Sequence, residues 1–139
     1  MDVEWVKVDD ARVLAVMSVE TSSFYDAWVR LRPDRVGRLA EIVRGVVSEF
    51  RAALYANPLN ALDPDTDKLP LPCVRYAETL AIGALHREMD RPLSETEQSR
   101  QIRAEIMLRT FYARGFLIAP DRENSGSGSP TYRPGLAEG

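Results

Sequence analysis

The residues able to do chemistry are few. His86 is the sole histidine and Cys73 the sole cysteine of the 139-residue chain. A catalytic histidine needs a nucleophile and an orienting partner close in space. No such set is legible, and His86 reads as an exposed or half-buried residue on the more polar side of a helical stretch. Cys73 opens a helical stretch, where the helix dipole would lower a thiol's pKa. Alone it can form neither an internal disulfide nor a cysteine zinc site, and a small buried hydrophobe is its plainer role. Asp63-x-Asp65-x-Asp67 begins like a calcium loop, but Lys68 stands where the sharp turn needs Gly and Val74 where a bidentate Glu belongs. The sequence carries no Walker loop, G-x-G-x-x-G, H-E-x-x-H or G-x-S-x-G. It therefore predicts no catalytic, cofactor-binding or metal-binding residues.

Charge and composition narrow the class further. Sixteen Arg and two Lys stand against 21 acids, for a net charge of −3. That balance lacks the basic footprint of a nucleic-acid binder. Six Arg between positions 30 and 51, facing Asp34, Glu41 and Glu49, make a locally basic stretch. Arg35, Arg38 and Glu41 share a helical face, so self-pairing, solvation or an intersubunit ion-pair surface accounts for it better than phosphate binding. The acidic start is no signal peptide, and no apolar run reaches spanning length. At 45% hydrophobic residues, the chain can build one real core.

The elements that would position these residues are mostly helical. Val6 and Val8 alternate with charged neighbours as in a short strand. Asp9 or Asp10 then caps a short helix to Met17, with Val13, Leu14 and Met17 on its apolar side. Thr21-Ser22-Ser23 punctuates, and Phe24, Trp28, Val29 and Leu31 suggest another helical piece. Pro33 suits a first helical turn, and Val36, Leu39, Val43, Val46, Val47, Phe50 and Leu54 recur at helical spacing until Asn57-Pro58. Residues 57–72, with four prolines, read as a long ordered loop. A second helix spans about 73–90 on a stripe of Val74, Ala77, Ala81, Leu85 and Met89. Ser94 and Glu97 form a capping box for a third, whose inner side is assigned to Ile102, Ile106, Arg109, Thr110 and Ala113, with Phe111 beside them. Gly115 closes that helix, residues 116–119 form a short extended piece, and the polar Gly/Ser/Pro-rich remainder reads as a flexible arm. The expected architecture is mainly α: a small bundle of three long helices with short N-terminal helices (residues 1–119) and a C-terminal arm (120–139). Its expected core is Val43, Val47, Phe50, Leu54, Val74, Ala77, Ala81, Leu85, Ile102, Ile106 and Phe111.

The order of these features resembles the head–tail connector, or head-completion adaptor, proteins of tailed bacteriophages. The similar features are Val43-Arg44-Gly45 in the first long helix, Asn57 and Asn60 followed by Leu62, and a Pro-Leu-Pro lead into the next helix. Ala113-Arg114-Gly115-Phe116 at the last helix end completes them, and the likeness covers about residues 33–120. It implies a non-catalytic virion subunit, assembled in the bacterial cytoplasm, that forms a ring beneath the portal and extends the DNA channel. The implied partners are the portal protein, neighbouring copies and the next tail-side connector or tail protein, without specific nucleic-acid or membrane binding. Loops and arms make the contacts in that family. The expected contact residues here are Asn57, Asn60, Leu62, Leu69 and Leu71 in the loop, and Phe116, Ile118, Tyr132 and Arg133 in the arm. The rival expectations are a cellular helical binding module or accessory subunit and, behind it, a nucleic-acid binder using the arginines at 30–51.

Overall fold

The computed structural model of the chain describes residues 3–114. Gly115, the segment 116–119 and the arm, including Phe116, Ile118, Tyr132 and Arg133, lie outside the described residues. The fold is mainly helical. It begins with strand β1 (Trp5–Lys7), then α1 (Asp10–Val16), α2 (Val19–Leu31), a 3-10 turn (Pro33–Arg35) and α3 (Arg38–Leu54). Strand β2 (Lys68–Pro70), α4 (Leu71–Glu88) and α5 (Glu95–Arg114) follow.

β1 pairs antiparallel with β2, setting Trp5 opposite Pro70, Val6 opposite Leu69 and Lys7 opposite Lys68. The stretch read as a loop at 57–72 thus contains a strand and the first residues of α4. Three residues are too few for alternation to register in the sequence. Asp9 caps α1, its carboxylate accepting from the Arg12 N–H at 2.9 Å. The break before α2 falls at Met17–Ser18 instead of at Thr21–Ser23. Ser18 is extended, and its hydroxyl accepts from the Thr21 N–H at 3.1 Å, which makes Ser18 the cap and leaves Thr21 inside the first turn.

Pro33 starts a separate 3-10 turn instead of the long helix. Arg35 holds that turn in place, donating to the Trp28 carbonyl at 2.9 Å with its guanidinium 4.3 Å from the indole centre. α3 begins beyond Gly37 and buries Leu39, Val43, Val46, Val47, Phe50, Ala53 and Leu54. α4 starts at Leu71, two residues before the expected Cys73, with a proline in its first turn. It closes on Asp90 in the left-handed region (φ 54°), with the Arg91 N–H donating to the His86 carbonyl at 2.9 Å. That is the wide hydrogen bond of a Schellman end. The capping box of α5 is formed as expected: Ser94 N–H to Glu97 at 2.9 Å, and Glu97 N–H to Ser94 Oγ at 3.2 Å.

The core lies where α3, α4 and α5 pack on one another. Val43, Val47, Phe50, Leu54, Val74, Ala77, Ala81, Leu85 and Phe111 are all in it. Fully burying a side chain of the Val, Leu or Phe type stabilises by about 1.5–3 kcal/mol, so this cluster carries the fold. Phe50 of α3 meets Phe111 of α5 edge-on, ring centres 6.3 Å apart. Two core assignments are corrected: Ile102 and Ile106 are 56% and 51% exposed. α5 turns the nearly opposite row inward instead, with Gln101, Ala104 and Phe111 buried and Met107 and Leu108 packed against the cluster. The small and polar members of that row fit because α4 comes very near. A Cβ on Gly83 would lie 2.1 Å from Gln101 Oε1.

Candidate interaction surface

The loop expected to make contacts is organised from within. Arg51, near the end of α3, donates to the carbonyls of Asp63, Asp65 and Lys68, and lies 5.6 Å from the Trp5 ring centre. One guanidinium thus ties α3 to the loop and to β2. Asn57 accepts the Leu59 N–H at 2.9 Å in an Asx turn. Asn60 is buried and donates to the Leu54 carbonyl at 2.8 Å, a second hydrogen bond beside the one that carbonyl accepts from the Asn57 N–H at 3.2 Å. Leu69 is fully buried and Leu62 packs against the core, so Asn60 and Leu69 serve the subunit's interior instead of an outer contact. Leu71, half exposed, and Leu59 are the apolar side chains this region presents. Of the three aspartates, Asp63 accepts the Asp65 N–H at 2.9 Å, Asp65 pairs with Lys68 at 3.2 Å, and Asp67 stands 3.9 Å from Lys7. Among the described residues no group of three His, Cys, Asp or Glu is placed to hold a metal ion.

His86 is a further correction. It is 2% exposed, not half open. Its Nδ1 lies 3.3 Å from the Arg91 carbonyl, which can only accept, so Nδ1 carries the proton. Its Nε2 lies 3.3 Å from Thr21 Oγ1, itself accepting from Ser18 Oγ at 3.0 Å, and 3.8 Å from a Glu97 oxygen. The buried hydroxyl and the carboxylate face the same ring nitrogen. A nucleophilic relay needs them on opposite nitrogens. The arrangement instead joins the first turn of α2, the end of α4 and the first turn of α5. Burial opposes ionisation of Glu97, but hydrogen bonding to Ser94 and the nearby His86 and Arg91 outweigh it and lower its pKa. Arg91 Nε is buried with no hydrogen-bond partner among the described residues, and its guanidinium lies 4.9 Å from the Phe24 ring centre. Cys73 is wholly buried, and desolvation pushes its thiol up to about 12, overriding the dipole that the helix start would apply.

The arginines of 30–51 are partly self-paired, as their spacing implied. Arg38 meets Glu88 at 2.9 Å and Glu41 at 3.1 Å, which raises its own pKa; the Arg38 hydrogen bond lowers that of Glu88.

The surface with unmatched character lies elsewhere, along α5 and its junction with α1 and α4. Two adjoining cavities of about 590 and 270 Å³ share Val16, Thr79, Ile82 and Arg100 in their walls. The larger adds Arg75, Tyr76, Glu78 and Arg103. Glu78 is matched by Arg12 of α1 at 2.8 Å. Arg75, Arg100 and Arg103 make no ion pair among the described residues. Beside this groove, Ile102 and Ile106 project one helical turn apart. The row was legible as apolar but misassigned to the interior, and its exposure is the signal that sequence periodicity could not supply.

Compared with known families, curated proteins and solved structures, the chain matches no family model, no curated protein and no solved structure. No helix among the described residues is long and apolar enough to cross a membrane.

Proposed function

We propose that the chain is a non-catalytic assembly subunit, a head–tail connector of a tailed phage or phage-derived particle. In this reading copies form a ring beneath the portal and extend the channel for DNA. The contacts run to the portal protein, to neighbouring copies and to the next tail-side protein, in a virion assembled in the bacterial cytoplasm. The observation that supports it most is the outward row of Ile102 and Ile106 on a helix whose other side packs the core. An apolar row left open on a packed helix is a surface awaiting a neighbour. Val19, Leu31 and Tyr55 are exposed on other elements, in keeping with a subunit that meets several neighbours instead of one.

Density-gradient fractionation of an induced lysate tests the reading, with each fraction assayed by mass spectrometry. Co-sedimentation with capsid and portal proteins is the expected result. Recovery only in soluble fractions while particles are made would refute it. A cellular binding module is the second reading, favoured by the concavity of the α4–α5 groove, which suits one inserted segment. It predicts a single partner at fixed stoichiometry and no ring.

A further inference from the structure

We infer that the groove between α1, α4 and α5 receives the acidic N-terminal layer of a second copy of this chain. The inference deepens the assembly reading and rests on it. The first side of the contact is the cationic groove: Arg75, Arg100 and Arg103 without ion-pair partners among the described residues, over an apolar floor of Val16 and Ile82. Of its two acids, Glu78 is engaged by Arg12, and Glu97, in the wall of the smaller cavity, bonds Ser94 and faces His86. Unpaired guanidinium groups around an apolar floor select a partner that offers carboxylates beside hydrophobic side chains.

The chain itself presents such a surface. Described residues 3–29 carry five acids (Glu4, Asp9, Asp10, Glu20 and Asp26) and two cations, Lys7 and Arg12. Both cations face acids outside this segment, Lys7 near Asp67 and Arg12 at Glu78. The segment's own acids are left without an ion pair among the described residues. Asp10 of α1 and Asp26 of α2 both act on Tyr25, their charges adding to burial in raising its pKa. On α2, Glu20 stands beside Val19, 84% exposed, while Leu31, 78% exposed, lies between Arg30 and Arg32 at the far end of the helix. A basic apolar groove and an acidic apolar layer on one chain, neither neutralised within the subunit, are complementary between copies. Nucleic acid would match the arginines but not the apolar floor, and gains nothing from the acidic layer.

Sedimentation velocity of the full chain, at 50 mM and 500 mM NaCl over a concentration series, tests the contact. Wild type is expected to self-associate, about tenfold or more weakly at the higher salt. Arg100→Glu/Arg103→Glu and Asp10→Asn/Asp26→Lys should each stay monomeric alone. Mixed, they should form a one-to-one complex, since each retains the surface the other lacks. Circular dichroism checks folding, and Asp26→Lys alone, at an exposed position, serves if the double variant unfolds. A wild type monomeric throughout, a reversed variant that associates as wild type does, or a mixture that stays apart overturns the inference. So does a duplex DNA fragment that binds wild type, fails to bind Arg100→Glu/Arg103→Glu and dissolves the self-association. Because the assay uses no particle, failure here with continued co-sedimentation would sink this contact and leave the connector reading standing.

Discussion

Cys73 and Glu97 illustrate how burial and hydrogen bonding pull in opposite directions on single groups. The thiol's folded pKa is raised to about 12. Its neutral form therefore contributes fully below the ordinary thiol range, and the contribution is lost as pH rises towards that value. A disulfide reagent at pH 8 should leave the native thiol unmodified and label it only at the rate of unfolding. Prompt labelling under native conditions would contradict its burial. For Glu97 the shift is downward, so the sign reverses: its contribution is complete above the unfolded carboxylate pKa and disappears as pH falls through the folded value. Glu97→Gln keeps the reach back to the Ser94 N–H and loses only the charge at the helix N-terminus. It should therefore lower stability by about 0.3–1 kcal/mol near pH 7, and the gap to wild type should narrow towards pH 3 in urea titrations. His86 completes the pattern at this scale. Its helical position resembled a surface site, and only the docking of α2 and α5 over it turns its polarity inward.

Elements carry the next level of explanation. Arg51 links the end of α3 to the loop and β2 through three carbonyls. Arg51→Ala should cost about 2 kcal/mol in chemical denaturation, and Arg51→Lys should recover little, because an ammonium cannot reproduce the fork. The helices themselves were legible in the sequence: the rows of α3 and α4 are unambiguous, and Ser94 with Glu97 marks the start of α5. The facing of α5 was not. Its expected inner row of Ile102, Ile106, Arg109, Thr110 and Ala113 holds two isoleucines but also an arginine and a threonine. It is no more apolar than Gln101, Ala104, Leu108 and Phe111, so periodicity alone does not choose the side. Close approach of Gly83 decides it, because any side chain at that position would strike Gln101. Two residues of the loop were misread for a related reason. Leu69 and Asn60 sit among prolines and aspartates that look solvated, yet strand pairing and the α3 end draw both inside.

For the whole molecule, what holds the subunit and what faces its surroundings separate cleanly. Ile102→Ser with Ile106→Ser should change thermal stability by no more than about 0.5 kcal/mol, as exposed positions do. Phe111→Ala, by contrast, should cost about 3–5 kcal/mol. If the serine pair instead destabilises as much as Phe111→Ala, the outward facing of that row is wrong. The same serine pair should reduce incorporation into particles under the proposed function. Its effects on melting and on assembly are therefore predicted to be opposite in size.

The pairing of β1 with β2 also bears on how the chain reaches this state. α3, α4 and α5 pack on one another, and their docking closes connections far shorter than the span from β1 to β2. Val6 and Leu69 are more than sixty positions apart, and bringing them together earlier would cost loop entropy with nothing yet to receive the strand. The three-helix core should form first, and the N-terminal layer should lie down on it as a late, separable unit. Native-state hydrogen exchange is then expected to show α1 and α2 opening at lower free energy than α3 and α4. Equal protection across both would mean that the layer and the core fold as one.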